Sequence, residues 1–217
     1  MSRILCLWFP NWPLQRLQNA RPELKRRVIA IYEQRQGLRV VATNKPGLHP
    51  GMPLAEAGGA LQELHDPLAD RATLERVAEW CEQFSPIVAL EETDRPECLF
   101  LDITGLAEVF HGETVLIERI CRAFTRRNLE IRLGIADTLG MAWGLAHFGE
   151  EIGSAEPGDT TLFARLPVAA LRLPLAMVKT LHELRLQQVG QLLNLPRESL
   201  TARFGPQLIE RIDQALG

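Results

Sequence analysis

The chain has 217 residues and a net charge of −3, and 46% of its residues are hydrophobic. This length is more than one small core requires and predicts two or three domains. Its apolar runs fall short of the ~18 residues of a membrane-spanning helix, and the first of them, 4–9, is too short for a signal-peptide core. We therefore expect a cytoplasmic protein that does not engage a membrane.

The four cysteines and five histidines are scattered along the chain. The cysteines show no Cys-x-x-Cys spacing, and three of them sit in apolar surroundings, so we expect reduced core thiols rather than disulfides or zinc ligands. The histidines show no pair at the spacing of metal ligands. The sequence therefore predicts no metal site built from these residues.

The charge is unevenly distributed. Residues 66–157 carry 18 acidic residues against 8 arginines, and the segments on either side are basic. Non-specific binding of duplex DNA depends on contacts between basic side chains and phosphate. Because the sequence has no long basic stripe, strong DNA binding by these residues alone is not expected.

The first 65 residues predict short strands around one or two helices. Pro10 and Pro13 open the first helix, the second is interrupted at Gly58-Gly59, and a turn is expected at Gln36-Gly37. The predicted elements are a strand over 4–9, a helix over 12–18, paired strands over 28–32 and 38–42, a loop over 43–53 and a helix over 54–64.

The next segment predicts an α+β domain. Its elements are a helix over 71–83, strands over 87–90 and 99–103, a helix over 113–127, a strand over 131–136 and a helix over 139–148. Together with the first strand and helix, the order strand, helix, strand, strand, helix, strand is typical of a ferredoxin-like fold that has an insertion after its first helix.

The segment 153–159, Gly-Ser-Ala-Glu-Pro-Gly-Asp, has the composition of a linker. Beyond it the pattern predicts only short helices, so we expect a separate all-helical domain. These helices are predicted over 166–171, 176–184, 189–193, 198–204 and 206–216.

Two of the predicted strands carry the most informative motifs. The segment Cys98-Leu-Phe-Leu-Asp102-Ile-Thr-Gly105 resembles a palm strand of the Y-family translesion DNA polymerases, in which Ser-x-Asp-Glu-Ala precedes Tyr-Leu-Asp-hydrophobic-Thr/Ser. The opening strand, which runs into Trp8-Phe-Pro-Asn-Trp-Pro13, resembles the family's first strand, which runs into Val-Asp-x-Asp-x-Phe-Tyr/Phe. Weaker resemblances in the same order lie at 22–31, 41–54 and 134–136.

The resemblance implies an α+β fold with a ferredoxin-like palm, inserted fingers and an all-helical thumb. The implied palm comprises 1–20 and 66–153, the fingers 21–65, and the thumb 158–217 with a degenerate helix-hairpin-helix. The chain stops where the family's little-finger domain would begin, so we expect that domain to be absent.

The positions that match the family's metal-binding residues are replaced. Trp8 stands where the first strand has its Asp, and counting back from Asp102 puts the adjacent Asp and Glu of the family on Glu97 and Cys98. Nucleotidyl transfer uses two divalent ions about 3.5–4 Å apart, and Mg²⁺ needs hard oxygen ligands. An indole supplies no oxygen and a thiol is a soft ligand, so the resemblance implies no catalytic residue, no metal site and no cofactor. A different register could still bring Glu91, Glu92 or Asp94 into the site.

The positions that would hold the nucleotide are also altered. The segment 44–50 is shorter than its counterpart and lacks the Tyr and Arg that hold the triphosphate. The aromatic residue that excludes ribose maps near Pro13, and the palm lysine maps to Glu150. Lys45 could reach a phosphate or remain a solvated loop residue. The resemblance therefore implies no nucleotide site, with Pro13 and Glu150 as degenerate positions.

The implied thumb retains little of a phosphate-binding hairpin. Such hairpins use a Gly-hydrophobic-Gly turn whose amides approach the DNA backbone. The matching turn, 173–176, has no Gly and loses an amide to proline, whereas the second keeps Gly205. Ala176, Lys179 and Gly205 are weak DNA-binding candidates, and the alternative is that these helices serve only packing.

Two groups of side chains near the degenerate site have alternative interpretations. The aromatic residues Trp8, Phe9 and Trp12 could form an exposed recognition patch, but burial is expected of such residues, with Trp8 filling the emptied metal cavity. The acids at 91, 92, 94 and 97 are expected to form a solvated hairpin tip.

This combination of features resembles the ImuB branch of the family, which consists of catalytically inactive polymerase-like proteins from bacterial mutagenesis cassettes. The resemblance implies a non-enzymatic scaffold in damage-induced mutagenesis and translesion synthesis. Its implied partners are the sliding clamp, a RecA-like accessory protein and an error-prone C-family polymerase, bound mostly through a C-terminal region beyond these residues. The alternatives are an active Y-family polymerase with relocated carboxylates and a DNA-binding module that acts alone.

Overall fold

The computed structural model describes residues 2–35 and 37–217, so one residue of the predicted Gln36-Gly37 turn lies outside the described residues. Within these ranges the strands are β1 (Ile4–Trp8), β2 (Ile29–Gln34), β3 (Leu38–Thr43), β4 (Leu61–Leu64), β5 (Val88–Leu90), β6 (Cys98–Asp102), β7 (Arg132–Ala136) and β8 (Ile152–Ser154).

The α-helices of the same ranges are α1 (Trp12–Ala20), α2 (Pro67–Cys81), α3 (Leu106–Val109), α4 (Glu113–Thr125), α5 (Leu139–Phe148), α6 (Thr161–Ala164), α7 (Leu175–Glu183), α8 (Val189–Leu193), α9 (Arg197–Phe204) and α10 (Pro206–Leu216). Short 3-10 segments cover Pro22–Arg26, Leu54–Ala57 and Val168–Leu171. No helix in the described part of the chain combines the length and apolarity needed to cross a bilayer.

The larger sheet has the strand order β5-β6-β1-β7-β8. β1 lies between β6 and β7 and is antiparallel to both, and β5 is antiparallel to β6. With α2 before β5 and α4 before β7, the first four strands of this order form the ferredoxin-like arrangement that the sequence predicts. The α+β fold class is therefore confirmed.

The two faces of this sheet are covered by different helices. Successive side chains of a strand point to opposite faces. Leu5 and Leu7 of β1 belong to the core that includes α2 and α4, whereas Cys6 belongs to the core that includes α5 and the C-terminal helices. Burial on both faces explains why these strands are continuous apolar runs in the sequence.

The smaller sheet lies between α1 and α2 in the chain and has the order β3-β2-β4. β2 is antiparallel to β3 and parallel to β4. The helix predicted over 54–64 is wrong, because a 3-10 segment ends at Ala57 and β4 follows Gly59. Gly59 takes a φ of +80°, which ends the helical run and lets the chain pair with β2.

The predicted linker is partly wrong. Gly153 and Ser154 belong to β8, which pairs in parallel with β7, and Ala155 is buried. The sequence did not indicate this strand because its composition is that of a turn, and its pairing with β7 is set by the fold. Gly153 fits because its backbone passes close to Leu145 of α5, where an added Cβ would lie 3.1 Å from Leu145 Cβ.

The C-terminal helices pack on the α5 face of the larger sheet. Gly140 allows α5 and α10 to approach closely, because an added Cβ would lie 2.9 Å from Ala215 Cα. The Thr138 hydroxyl donates to Ala215 O at 2.6 Å. The helical region is therefore fixed against the sheet.

The close packing of β7 against α5 is testable through Gly134. A Cβ at this position would lie 1.9 Å from Ala142 O, so we expect Gly134→Ala to destabilise the protein by about 3 kcal/mol. Urea unfolding measures the change. Gly58→Ala is the matched control, because no atom lies within 4 Å of its added Cβ. Equal stabilities of the two variants would contradict this packing.

Candidate functional site

The predicted degenerate positions meet at one end of the larger sheet, where β1 ends and β6 and β7 begin. Trp8, the last residue of β1, pairs with Cys98 at the start of β6 and with Arg132 at the start of β7. Glu97 directly precedes Cys98, and Phe9 N donates to Glu97 O at 2.9 Å. Trp8, Glu97 and Cys98 therefore lie together at one edge of the sheet.

A stack of aromatic rings capped by arginines fills this edge. The Trp8 ring stacks on His147 with centroids 4.3 Å apart, and His147 stacks on Trp143 at 3.8 Å. Arg132 Cζ lies 5.6 Å from the Trp8 ring centroid, and Arg172 Cζ lies 5.1 Å from that of Trp143. We call these five side chains the aromatic column. Cation–π attraction favours the guanidinium at each end.

The α5 helix supplies the middle of the aromatic column. Trp143 and His147 are four residues apart, so their side chains lie on the same face of the helix. The rest of α5 is built largely from small and aliphatic residues, with Ala142 and Ala146 fully buried against β1 and β7. The small residues bring the helix close to the sheet, and the two rings extend over its edge.

His147 is neutral within the aromatic column. Burial lowers its pKa to about 4, and the charges of Arg172 and Arg132 act in the same direction against a hydrogen bond with the backbone of Trp143. His147 Nδ1 lies 2.9 Å from Trp143 O, and a carbonyl can only accept, so Nδ1 carries the proton. His147 Nε2 is then an acceptor, 3.8 Å from Cys98 Sγ.

The Cys98 thiol is the complementary donor. Cys98 is fully buried, and burial raises the pKa of its thiol far above the usual range, with the neighbouring Cys6 adding to the shift. The thiol therefore stays protonated and faces the unprotonated nitrogen of His147. A protonated, buried thiol is a poor metal ligand, because metals bind the thiolate.

Two carboxylates accept the indole N–H groups of the aromatic column. Trp143 Nε1 donates to Glu91 Oε1 at 3.0 Å, and Trp8 Nε1 donates to Glu97 Oε2 at 3.4 Å. Arg172 Nη2 also donates to Glu91 Oε1, at 3.1 Å. Burial raises the pKa of Glu97, while its hydrogen bond with Trp8 opposes the shift. Both carboxylates are thus occupied by protein donors.

The predicted solvated hairpin tip is only partly correct. Glu92 and Asp94 are exposed, but Glu97 is half-buried and the Glu91 side chain is only 8% exposed. A count of acidic residues could not reveal this, because Glu91 is held inward by Arg172, which lies 81 residues away in the chain. The expected burial of aromatic residues is met by Phe9 and Trp12, whereas Trp8 is half-buried.

The two residues that the sequence predicts as degenerate nucleotide positions, Pro13 and Glu150, lie close to the same edge. Pro13 is buried and lines a cavity of about 30 Å³ that Glu97 also lines. The Glu150 side chain is exposed, and its carbonyl oxygen lies 3.3 Å from Arg132 Nη2. Lys45 Nζ donates to Glu56 O at 3.0 Å and to Gly58 O at 2.7 Å. This lysine therefore ties its loop to the end of the 3-10 segment Leu54–Ala57.

The weak DNA-binding candidates lie on two C-terminal helices. Ala176 and Lys179 are exposed on the first turns of α7, and Gly205 precedes α10 with a φ of +79°. The turn that leads into α7 has Arg172 in the left-handed region, with a φ of +56°. This arginine takes the conformation that glycine usually provides, and its side chain is directed to Glu91.

Sequence reasoning gave no role to the four members of the aromatic column other than Trp8, which are Arg132, Trp143, His147 and Arg172. A signal existed for Trp143 and His147, because they are bulky rings four residues apart in an otherwise small-residue helix. No local pattern could have identified Arg172, since its partner lies in the β5–β6 hairpin.

An open cleft of about 440 Å³ lies beside the aromatic column. Its lining includes Arg35, Asp94 and Arg95 together with Trp143 and His147. Arg95 also forms an ion pair with Glu33 of β2, so the hairpin is tied to the smaller sheet. The aromatic column therefore forms one wall of the cleft between the two sheets.

The buried ion pair is testable by removing its cation. Arg172→Met leaves the Glu91 carboxylate buried without its counter-charge, and we expect a loss of about 3 kcal/mol in the free energy of unfolding. Arg197→Met is the matched control, because its ion pair with Asp213 is 58% and 56% exposed and should contribute under about 1 kcal/mol. Urea unfolding that gives equal losses would contradict a buried role for Arg172.

The depressed pKa of His147 predicts a pH-dependent stability. Between about 6.5 and 4 the unfolded chain binds a proton at His147 that the folded protein does not, so stability should fall as the pH falls through this window, by up to about 3 kcal/mol. His147→Phe retains a ring and should lose this component. The raised pKa of Glu97 acts in the opposite direction in both proteins, so comparing their unfolding curves isolates His147. Parallel pH profiles would refute the depressed pKa.

Comparison with known proteins places this site in a family. The model of the impB/mucB/samB family matches residues 7–146. Protein ImuB from two strains of Caulobacter vibrioides is 46% identical over 176 residues, which cover 79% of this chain and 38% of ImuB. The chain thus spans well under half the length of these curated relatives.

Solved structures agree on the fold. DinB from Sulfolobus solfataricus superposes with a TM-score of 0.77 at 16% identity, over 98% of this chain and 66% of that chain. The insertion ternary complex of Dbh DNA polymerase gives a TM-score of 0.78 at 16% identity, over 98% of this chain and 67% of that chain. The chain therefore belongs to the impB/mucB/samB family and has the fold of a Y-family polymerase catalytic core.

Proposed function

We propose that this chain is a non-catalytic, polymerase-like scaffold in damage-induced mutagenesis and translesion DNA synthesis. The observation that carries the proposal is the aromatic column at the strand ends where a polymerase of this fold would assemble its metal ions. Trp8, which we assign to the first metal-ligand position of the family, stacks on His147 with centroids 4.3 Å apart. The likeness to ImuB supports the same biological setting.

The side chains at this edge do not fit a two-metal site. Two Mg²⁺ ions require several carboxylate and water oxygens in near-octahedral geometry. Trp8 presents an indole, Cys98 presents a protonated thiol, and the Glu97 carboxylate accepts from Trp8 Nε1. Among the described residues, no three His, Cys, Asp or Glu side chains are grouped so as to hold a metal ion.

We assign palm, fingers and thumb to 1–20 with 66–153, 21–65 and 158–217. The larger sheet lies in the first set, the smaller sheet in the second, and α6 to α10 in the third. Because β8 continues to Ser154, the proposed palm extends slightly beyond 153, the limit predicted from the sequence. The first hairpin of the proposed thumb has no glycine and the second keeps only Gly205, so its contribution to DNA binding is proposed to be weak.

The proposed partners are the sliding clamp, a RecA-like accessory protein and an error-prone C-family polymerase in the cytoplasm. Because this chain corresponds to only 38% of the length of its ImuB relatives, most of these contacts are proposed to lie in the remaining part of such a protein. The present residues would supply a rigid core that approaches primer-template without performing chemistry.

Primer extension tests the proposal directly. With Mg²⁺, a deoxynucleoside triphosphate and labelled primer-template, we expect no incorporation and no Mg²⁺-dependent binding of the triphosphate, while an active Y-family polymerase extends the primer in parallel. Incorporation that is lost in Glu97→Gln would overturn the proposal and establish an active polymerase with relocated carboxylates.

Binding in the same assay addresses the remaining alternative. A DNA-binding module that acts alone should bind primer-template with a steep salt dependence. Such binding should be weakened by Lys179→Glu on α7 and unchanged in the control Lys25→Glu, where an exposed lysine of the smaller-sheet region is reversed. Under the scaffold proposal, both variants bind as weakly as the parent chain in about 0.15 M salt.

A further inference from the structure

A groove rimmed by arginines lies between α2 and α4, away from the aromatic column. Its volume is about 530 Å³, which is within the range of pockets that hold ligands. The rim contains Arg119, Arg122, Arg126 and Arg127, and the floor includes Trp80 and Ala123. We call these six residues the arginine groove.

The arginine groove concentrates positive charge in an acidic part of the chain. Residues 66–157 contain 18 acidic residues and only 8 arginines, and four of those arginines line this one groove. Glu118 is the acidic residue of the lining, and its ion pair with Arg122 spans 3.4 Å with both side chains more than 60% exposed. Such an exposed pair is weak, so it competes little with a more acidic ligand.

The floor of the arginine groove is apolar, and contacts within the protein already hold two of the groove's side chains in place. Arg127 Cζ lies 3.7 Å from the Trp80 ring centroid, which holds this guanidinium on the ring face. Trp80 itself packs edge-on against Phe84 and Phe124, with centroids 5.3 and 5.1 Å away. At one end Val115 remains 48% exposed. A ligand must therefore offer apolar surface as well as negative charge.

We propose that the arginine groove binds an acidic protein segment that carries a hydrophobic side chain. The carboxylates would pair with the arginines of the rim, because guanidinium groups bind carboxylates in fixed geometry. The hydrophobic side chain would contact Trp80, Ala123 and Val115. This proposal goes beyond the scaffold function and does not depend on whether the chain catalyses nucleotide transfer.

The length of the rim fits a short peptide. Arg119 and Arg126 are seven residues apart on one helix and its end, a rise of about 10 Å. An extended peptide covers this distance in about three residues. A nucleic acid could match the charge of the rim, but its bases bind by stacking on exposed ring faces, and Arg127 already covers a face of Trp80. The groove also lies on the α2 and α4 side of the larger sheet, opposite the face that carries α5.

The test uses the 217-residue chain and a fluorescein-labelled synthetic peptide in which glutamate runs flank a Leu-Phe pair. Comparison probes are the same peptide with Ser-Ser in place of Leu-Phe and an oligothymidylate of equal charge. Fluorescence anisotropy in about 0.15 M salt measures each affinity. We expect the Leu-Phe peptide to bind most tightly of the three.

Matched variants identify the binding surface. Arg122→Glu with Arg126→Glu should weaken binding of the Leu-Phe peptide by about tenfold or more, whereas Arg26→Glu with Arg27→Glu, an exposed pair near the smaller sheet, should not. Val115→Asp should also weaken it, and Val109→Asp, at a position 67% exposed, should not. Thermal unfolding checks that the compared variants are equally folded. If the arginine double variant is not folded, the comparison of Val115→Asp with Val109→Asp tests the proposal instead.

Three results would overturn the proposal. The first is equal affinity of the Leu-Phe peptide for the groove and control variants. The second is equal affinity of the parent chain for the Leu-Phe and Ser-Ser peptides, which would show that the apolar floor is not used. The third is tighter binding of the oligothymidylate, which would identify a nucleic acid surface instead.

Discussion

The stacking of Trp8 on His147 is the interaction on which the arrangement of the site depends. A large amphipathic ring at the end of the central strand needs an apolar cover for its faces and an acceptor for its N–H. His147 supplies the cover at a centroid distance of 4.3 Å, and Glu97 supplies the acceptor. The second ring, Trp143, has the same need and uses Glu91. Once Glu91 is buried it requires a cation, and Arg172 provides it.

The contacts of Glu91 with Trp143 and Arg172 connect three separate parts of the molecule. Arg172 belongs to the turn before α7, Glu91 to the hairpin between β5 and β6, and Trp143 to α5. In a polymerase the acids at such an edge are held ready for metal ions, which keeps like charges close together and costs stability. Here the two acids accept hydrogen bonds from protein donors, so this end of the sheet is a place where the helical region is joined to it.

The sequence predicted the parts of this structure that follow from local patterns. The bounds of α5 are those that helical periodicity predicts, and α4 buries Leu116, Ile120 and Phe124 at the same spacing. The strands β4 and β8 were not predicted, because both are short edge strands whose parallel partners lie far away in the chain. The candidate site also has a part that the sequence predicted and a part that depends on remote contacts. Counting back from Asp102 selected Glu97 and Cys98, and the resemblance of the first strand selected Trp8. The ring that covers Trp8 and the cation that neutralises Glu91 come from remote segments that no count along the chain connects.

The two faces of the larger sheet carry different surface features. The face with α5 carries the aromatic column and borders the cleft between the sheets, where Arg95 is tied to Glu33. The face with α2 and α4 carries the arginine groove, and its core is a separate cluster that includes Leu74, Leu116 and Phe124. A segment bound in the groove would therefore contact neither the cleft nor the C-terminal helices. Because the sheet between them is buried on both sides, a partner could be held on one face without competing for the other, which is the physical requirement of a scaffold.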